Sequence, residues 1–417
     1  MTSSPLPTAP RRGRSLRRLL VPAALVAGAL AVQVPSATAA PRPDPARPGP
    51  QLQLQLQLQL QRDADALTAV GATGVQARLA EPGGPDLTVT SGVADLATGQ
   101  PVSPDGHFRI ASVTKAFVAT VVLQLVGEQR LSLDDPVERW LPGVVSGNGN
   151  DGRAITVRHL LQHTSGLHDD YPDYTSAEDF RLHRYDSRTP EQTVARAMSH
   201  RPDFRPGTKW AYSNTGYVLL GMVVERVTGR PWHEEARERI IRPLGLDHTS
   251  RPGTSPVLPQ PHARTYQAFT ADGPLVDVTE QVGPGVNGEA GLVSTTADLG
   301  LFLRALLDGR LLAPAQLRQL ERTVPVGRDL RKLMPGARDG LGLFSRPLPC
   351  GGVSWGHEGG DAGWITATGV TADGRRSVAV SLSGVRADTP EDVLRVERAM
   401  SGLVDDALCG GATARTD

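Results

Sequence analysis

The sequence contains few of the residues on which several protein classes depend. Only two of its 417 residues are cysteine and no Cys/His cluster is present, so no metal site is predicted. Acidic and basic residues balance at 44 each, so the basic excess typical of nucleic-acid-binding proteins is missing. The sequence has no phosphate-binding glycine loop and no internal repeat, and no cofactor is predicted. The remaining composition, 39% hydrophobic and 21% charged, is typical of a folded globular protein.

The N-terminus has the pattern of an export signal. Arginines between Arg11 and Arg18 precede an apolar stretch from Leu19 to Val32, and small residues follow at 37–39. Because this stretch is short for a transmembrane helix, residues 1–39 are predicted to be a signal peptide, with a retained membrane anchor as the alternative. The mature protein is expected to be secreted, monomeric and without a stable membrane anchor.

Export would place the two cysteines, Cys350 and Cys409, in an oxidising compartment where disulfides persist. Two cysteines allow one pairing, and a bridge between them would contribute about 4 kcal/mol in the chain-entropy model. Two separate buried thiols are the alternative.

Residues 40–61 are predicted to be a low-complexity linker, because prolines lead into an alternating Gln-Leu tract that fixes no strand register. One folded domain is predicted over residues 62–411, with a disordered tail at 412–417. Strand-like patterns occur at Leu87–Asp95, Gly291–Ser294, Val353–His357, Trp364–Thr371 and Ser377–Ser383. Helical patterns occur at Ser112–Gln129, Glu191–Ser199, Thr215–Thr228, Trp232–Ile241, Thr296–Leu307 and Pro390–Leu408. Strands near both ends with helices between them predict an α+β fold with an inserted helical region.

The first motif with chemical content is Ser112-Val113-Thr114-Lys115. The chain has three lysines, at 115, 209 and 332, so a lysine inside a motif is informative. If a helix starts here, the serine hydroxyl and the lysine ammonium lie one turn apart on the same face, where the lysine can activate the serine. An N-cap serine with an incidental lysine is the alternative.

Two further motifs are weak when taken alone. Tyr212-Ser213-Asn214 can present a proton-transfer group and an amide to one site, although a turn cap also explains the asparagine. His357-Glu358-Gly359-Gly360 follows a predicted strand, and its glycines allow close backbone approach.

In combination and in this order, the three motifs resemble the S-x-x-K, Y-S-N and H-x-G motifs of serine D-Ala-D-Ala carboxypeptidases and class C β-lactamases. The resemblance extends to 131–136, 160–167 and 243–246, and covers about residues 65–411. The positions of Cys350 and Cys409 resemble those in secreted actinomycete carboxypeptidases. The resemblance implies a β-lactamase/penicillin-binding-protein-like fold, with an antiparallel sheet flanked by helices.

The same resemblance implies roles for individual residues. Ser112 is the expected acylated nucleophile, activated by Lys115 and Tyr212, and Asn214 is expected to bind the substrate amide. His357 stands where related enzymes often carry lysine and is expected to support Tyr212. Positive charge would favour the tyrosinate, with Lys115 as its first source and His357 as its second.

The backbone N–H groups of Ser112 and Gly360 are implied to form the oxyanion hole, where each donor contributes about 2.7–4 kcal/mol. The implied activity is that of a D-Ala-D-Ala carboxypeptidase that acts on peptidoglycan-like D-peptides and binds β-lactams. Cell-wall peptidoglycan is therefore a candidate partner.

Several alternatives stay open at this point. An esterase, a D-aminopeptidase and a β-lactamase would share the acyl-serine step, and a non-catalytic penicillin- or peptidoglycan-binding domain could share the fold. Gly352-Val353-Ser354-Trp355-Gly356 also matches the G-x-S-x-G nucleophile elbow of α/β-hydrolases. That elbow requires a helix directly after its serine and a later histidine, whereas a strand pattern follows here and His357 is the last histidine.

The segment around His357 departs from the carboxypeptidase pattern. At the equivalent strand the carboxypeptidases that this chain resembles carry the motif His-Thr-Gly-Thr. A nearby arginine in them receives the substrate carboxylate. In this chain Glu358 and Gly360 replace the hydroxyls, Phe344 occupies the place of the arginine, and Arg346 could substitute for it. A Glu358 carboxylate about 5 Å from a substrate carboxylate would repel it by about 3 kcal/mol at an effective dielectric constant of 20. We therefore expect Glu358, Gly359, Gly360 and Arg346 to contact the substrate, with weakened recognition of a carboxylate unless strand alternation turns Glu358 away.

Overall fold

The computed structural model describes residues 49–81, 83–170, 174–282, 290–387 and 389–410. The predicted signal peptide and the predicted tail lie outside these residues. The main sheet contains the strands β1 (Gly74–Ala80), β2 (Leu87–Gly92), β9 (Val324–Pro325), β10 (Arg338–Asp339), β11 (Phe344–Pro347), β12 (Val353–Gly356), β13 (Glu358–Asp361), β14 (Trp364–Thr371) and β15 (Ser377–Ser383). Short two-stranded pairs are formed by β3 (Phe108–Arg109) with β8 (Val293–Ser294), β4 (Ser146–Gly147) with β5 (Asn150–Asp151), and β6 (Tyr266–Gln267) with β7 (Val276–Asp277).

Along the chain, the first helix precedes the first strand and the last helix follows the last strand. The helices are α1 (Pro50–Ala69), α2 (Thr114–Gly127), α3 (Val137–Trp140), α4 (Val157–Leu161), α5 (Ala177–His183), α6 (Pro190–Met198), α7 (Asn214–Thr228), α8 (Trp232–Ala236), α9 (Arg242–Leu244), α10 (Thr296–Leu307), α11 (Pro314–Leu320), α12 (Arg328–Leu333) and α13 (Pro390–Cys409). A 3-10 turn at Ala111–Val113 leads into α2, and a π-helical segment at Arg237–Ile241 joins α8 to α9.

The main sheet is antiparallel and mixes the two ends of the chain. Its order is β2-β1-β15-β14-β12-β11-β10-β9, and β13 pairs with β14 beside β12. Two apolar clusters cover its faces: one includes residues of α1 and α13, and the other includes residues of α2, α7 and α10. Most of the helices come from the long segment between β2 and β9. The predicted α+β architecture with an inserted helical region is therefore confirmed.

The predicted linker is wrong where the structure describes it. Residues 50–61 form the first part of α1, which packs against the sheet and against α13. A Gln-Leu alternation also repeats every four residues, so Leu56 and Leu60 fall on one helical face with Ala64 and Leu67. All four side chains are at most 3% exposed, whereas Leu54 on the opposite side is 59% exposed. Burial of this leucine stripe stabilises a helix where the sequence pattern suggested none.

The predicted disulfide is present between Cys350 and Cys409, which are 59 residues apart. It joins the turn between β11 and β12 to the last residue of α13, and so fixes this helix to the sheet. Among the described residues, no helix has the length and apolar character needed to cross a membrane.

Candidate active site

Ser112 lies in the 3-10 turn that begins the central helix α2. This helix is apolar on all sides and deeply buried, so its N-terminal end is held rigidly in the core. Lys115 follows one turn after Ser112 and is completely buried, and its Nζ donates to the serine Oγ at 3.0 Å. The predicted contact between these two residues is therefore present.

The backbone at the nucleophile is strained and closely packed. Ala111 has a φ of 44°, in the left-handed region that non-glycine residues rarely adopt. β13 lies against this turn, and a Cβ placed on Gly359 would be 2.3 Å from the Ile110 carbonyl oxygen and 3.1 Å from the Ser112 nitrogen. Glycine at 359 is thus required so that β13 can approach the Ser112 segment. Gly360 has open space around it and borders the same cavity as Ser112.

Asn214 begins α7 and faces the same lysine. Its Oδ1 accepts from Lys115 Nζ at 2.8 Å, while its Nδ2 donates to Asp169 Oδ2 at 2.9 Å. The other oxygen of Asp169 accepts from the Thr215 backbone N–H at 3.0 Å. The chain of hydrogen bonds runs from Ser112 to Asp169 and fixes the orientation of the Asn214 amide. Asp169 was not predicted from sequence, because its loop carries no motif and lies 45 residues before its partner.

Tyr212 lies just before α7, with its ring centroid 5.0 Å from Lys115 Nζ. The ring stacks on His163 with centroids 4.3 Å apart and an interplanar angle of 28°. His163 belongs to the 160–167 segment noted in the sequence, but no pattern there indicated a contact with Tyr212. The structure thus brings Ser112, Lys115, Tyr212 and Asn214 together around one ammonium group.

His357 is buried at the junction of β12 and β13. Its ring centroid is 6.4 Å from that of Tyr212. Burial and the positive charge of Lys115 lower the pKa of His357 to about 3, although a hydrogen bond with the Glu358 carbonyl opposes the shift. This lowered pKa favours the neutral ring. In the neutral ring Nδ1 donates to that carbonyl at 2.5 Å, so Nε2 is an acceptor. The expectation that His357 is a second source of positive charge is therefore wrong, because its environment disfavours the cation.

A cavity of about 510 Å³ opens beside Ser112. Its lining residues are Ser112, Trp210, Tyr212, Leu330, Met334, Phe344, His357, Glu358, Gly359, Gly360, Ile365, Glu397 and Met400. Most of this surface is apolar, and both Ser112 and Tyr212 border it. Among the described residues that line it, none is lysine or arginine.

Two carboxyl groups border the cavity on the side of β13 and α13. Burial and the negative charge of Glu397 raise the pKa of Glu358 to about 7, against the opposing effect of Arg346. Burial also raises the pKa of Glu397. Glu397 Oε2 is buried and has no hydrogen-bond partner among the described residues. Glu358 is thus on the cavity side, and Glu397 is a second acid that no sequence motif indicated.

Arg346 does not contribute to this cavity, which corrects the prediction that it receives the substrate. Its two terminal nitrogens donate to the Asp405 carboxylate of α13 at 3.0 and 2.7 Å. A bidentate pair of this kind leaves the guanidinium committed to a protein carboxylate. Arg346 borders a smaller neighbouring cavity instead, which shares lining residues such as Phe344 and Glu358 with the larger one.

Ser354 of the G-x-S-x-G match lies inside β12, and β13 rather than a helix follows. Its Oγ donates to the Arg346 carbonyl oxygen at 3.4 Å, and the side chain does not line the main cavity. The strand geometry is not that of a nucleophile elbow.

Comparisons with known proteins agree with this geometry. The model of the β-lactamase family matches residues 60–399. The chain belongs to the β-lactamase family. Among curated proteins of this family, the chain is 30% identical over 292 residues to penicillin-binding protein 4 of Amycolatopsis lactamdurans, covering 69% of this chain and 70% of that protein. Matches to some other curated relatives span about half of their length.

Solved β-lactamase-family structures match over most of the chain. A D-stereospecific amidohydrolase from Streptomyces sp. is 41% identical, with a TM-score of 0.73 and coverage of 82% of this chain and 98% of that one. A D-amino acid amidase from Ochrobactrum anthropi SV3, complexed with L-phenylalanine amide, is 30% identical, with a TM-score of 0.70 and coverage of 84% and 99%. These similarities and the site geometry identify the chain as a serine acyl hydrolase of the β-lactamase and penicillin-binding-protein superfamily.

Proposed function

We propose that the protein hydrolyses D-aminoacyl amides, peptides and esters through an acyl-enzyme on Ser112. We further propose that it favours substrates whose leaving group carries no carboxylate. The observation that carries the proposal is the acidic part of the cavity wall, where Glu358 and Glu397 border the space and, among the described lining residues, no lysine or arginine does. The carboxypeptidase interpretation requires a cation or hydroxyls at this wall.

The proposed chemistry assigns one step to each catalytic group. Tyr212, beside the positive charge of Lys115, removes the proton from the Ser112 hydroxyl as its oxygen attacks the substrate carbonyl. The oxyanion binds to the backbone N–H groups of Ser112 and Gly360, and the proton passes to the departing amine or alcohol. Water then attacks the acyl-serine and releases the acid. Asn214 binds the substrate amide, and the neutral His357 supports Tyr212 by geometry rather than by charge.

The acidic wall supports the substrate class. Arg346 is paired with Asp405, so it does not offer its charge to a substrate carboxylate. Above its pKa, Glu358 adds a negative charge that repels such a carboxylate across a mostly apolar cavity. Amides, esters and peptides with an uncharged or positively charged leaving group avoid this repulsion.

The names of the similar structures support D-stereospecificity and amide hydrolysis. The 41% identical Streptomyces protein is a D-stereospecific amidohydrolase, and the Ochrobactrum protein is a D-amino acid amidase. We further propose that the protein acts outside the cytoplasm, where the Cys350–Cys409 disulfide would be stable.

D-Ala-D-Ala carboxypeptidase activity with β-lactam binding is the second candidate. It is favoured by the similarity to penicillin-binding protein 4 of Amycolatopsis lactamdurans. The two candidate functions share the acyl-serine step. They differ in whether the part of the cavity bordered by Glu358 and Glu397 accepts a leaving group with a carboxylate.

A substrate panel separates the candidates. Purified protein is assayed for kcat/KM on D- and L-phenylalanine amide, a D-Ala-D-Ala peptide with a free carboxylate, its amide-capped analogue, a chromogenic ester and a chromogenic cephalosporin. We expect D over L preference and faster turnover of the amide-capped peptide than of the free carboxylate. Turnover confined to the free carboxylate would establish the carboxypeptidase, and penicillin labelling without any turnover would establish a non-catalytic binding domain.

A further inference from the structure

Tyr212 lies in a segment that no helix or strand holds in place. Residues 209–213 have no regular secondary structure, and α7 begins only at Asn214. Proton transfer requires the phenol oxygen within hydrogen-bond reach of the serine, so the position of this segment matters for catalysis. Contacts from outside the segment must therefore determine where the Tyr212 ring lies.

His163 contacts three consecutive residues of this segment. Its carbonyl oxygen accepts from the Ala211 backbone N–H at 3.0 Å, and its Nδ1 accepts from the Ser213 backbone N–H at 3.1 Å. Between these two hydrogen bonds, its ring stacks on Tyr212 at 4.3 Å. The two hydrogen bonds fix the backbone on each side of Tyr212, and the stacking fixes the plane of its ring.

The histidine itself is rigidly held. It follows α4, and its φ of 52° is in the left-handed region, while its side chain is 2% exposed. Its ring also lies 5.3 Å from the buried ring of Tyr217. A residue in such a conformation persists only where the surrounding structure determines it.

The charge state of His163 preserves its role as an acceptor. Burial, and then the positive charge of Lys115, lower the pKa of His163 well below its usual range. Because Nδ1 accepts from the Ser213 N–H, the single ring proton of the neutral form is on Nε2. A protonated ring would lose this hydrogen bond and would add a cation near Lys115.

We infer that His163 is a positioning residue that holds the Tyr212 segment against Ser112 and Lys115. The inference rests on the proposed function only in giving Tyr212 the proton-transfer step. His163 does not line the cavity beside Ser112, so it acts through Tyr212 rather than on the substrate.

Two variants separate the contributions of His163. H163F keeps an aromatic ring for stacking but removes the Nδ1 acceptor, and so leaves the buried Ser213 N–H without its partner. H163N keeps an acceptor near the position of Nδ1, and asparagine tolerates the left-handed region. H159F is the matched control, because His159 Nδ1 also accepts a backbone N–H, from Thr156 at 3.2 Å, but at the start of α4 and outside the cavity.

The test is a double-mutant cycle with Tyr212→Phe, read as the rate of Ser112 acylation by a fluorophosphonate and as kcat and KM for an ester. We expect H163F to lower acylation and kcat about 10- to 100-fold with little change in KM, since a misplaced proton-transfer group loses part of a 10²–10⁴-fold effect. H163N should recover activity to within about tenfold of wild type, and H159F should stay within about twofold.

In the Tyr212→Phe background, H163F should cause no further loss, because its effect acts through the removed hydroxyl. A multiplicative loss in that background, or H163F activity within twofold of wild type, would overturn the inference. If H163F does not fold, H163N decides: it removes the stacking ring, so its loss of up to about tenfold should vanish in the Tyr212→Phe background, and a loss that persists there would overturn the inference. Absence of Ser112 labelling in the wild type would instead contradict the proposed function.

Discussion

The two sides of the cavity differ in how their polar groups are satisfied. On the nucleophile side, Lys115 Nζ donates to both Ser112 and Asn214, and Asn214 donates onward to Asp169. On the side formed by β13 and α13, two carboxyl groups border the cavity, and Glu397 Oε2 is buried without a hydrogen-bond partner among the described residues. The polar groups on the nucleophile side are hydrogen-bonded to one another. On the other side, the Glu397 oxygen can still accept a hydrogen bond from a ligand or bind a proton.

This difference separates chemistry from selectivity. The nucleophile side has the preorganised hydrogen bonds expected of a serine acyl hydrolase. In the proposed function the acidic side distinguishes substrates by charge, because a carboxylate in an apolar cavity interacts strongly with neighbouring charges. Substitutions on the first side should change all substrates together, while those on the second should change the ratio between substrates.

The largest expected effect is loss of the nucleophile. Ser112→Ala should abolish covalent labelling by fluorophosphonates and β-lactams for every probe while the protein stays folded, because no acyl acceptor remains. Ser354→Ala is the control and should label normally, since its hydroxyl donates to the Arg346 carbonyl and Ser354 does not line the cavity beside Ser112. Labelling is measured by intact-protein mass spectrometry. The reverse pattern would assign the chemistry to the G-x-S-x-G segment.

Tyr212→Phe should have the next largest effect, a loss of about 10²–10⁴-fold in acylation rate for charged and uncharged substrates alike. In the proposed mechanism the phenol removes the serine proton next to the Lys115 ammonium, and phenylalanine keeps the ring that stacks on His163. Stopped-flow acylation with a chromogenic ester and a cephalosporin measures the loss. A decrease of less than about tenfold would assign the base to Lys115 alone.

Neutralising the acidic side should change selectivity rather than overall rate. Glu358→Gln should raise kcat/KM for a D-Ala-D-Ala peptide with a free carboxylate by about ten- to a hundredfold relative to its amide-capped analogue, because up to about 3 kcal/mol of repulsion is removed. Glu391→Gln, an exposed acid in the first turn of α13, is the matched control. An unchanged ratio in Glu358→Gln would show that its carboxylate does not act on the substrate.

The smallest effect expected is a pH dependence of the same ratio. Because the pKa of Glu358 is raised to about 7, its carboxyl group is mostly neutral below this pH and mostly anionic above it. The KM for the free-carboxylate peptide should therefore rise several-fold between about pH 6 and pH 8, while that for the amide-capped peptide stays flat. The dependence should vanish in Glu358→Gln. A parallel rise for both peptides would attribute the effect to another titrating group.

The features that could be predicted from the sequence are those that a local pattern determines. Helix α10 and the strands β14 and β15 were predicted with their observed bounds, because their apolar patterns match a single period. The contact between Ser112 and Lys115 also matched, since their three-residue spacing at the start of a helix determines it. Local pattern and observed geometry coincide in these elements.

The errors share a different cause. The Gln-Leu tract forms part of α1 because it packs against the sheet. The strand β1 was not predicted, although it pairs with both β2 and β15. Arg346 was assigned to the substrate, but Asp405, 59 residues later, engages it. Asp169 and His163 lie in loops whose partners are about 50 residues away. In each case a tertiary contact between distant segments determines the outcome, and no local pattern encodes it.

The most direct measurement is a competition between two acyl donors for Ser112. Wild-type protein is mixed with equal amounts of a free-carboxylate D-Ala-D-Ala peptide carrying a light acyl group and its amide-capped analogue carrying a deuterated one. The acyl-enzyme is quenched early, digested and analysed by mass spectrometry. We expect an adduct on Ser112 in which the deuterated acyl group predominates. A predominance of the light group, or an adduct on another residue, would contradict this expectation.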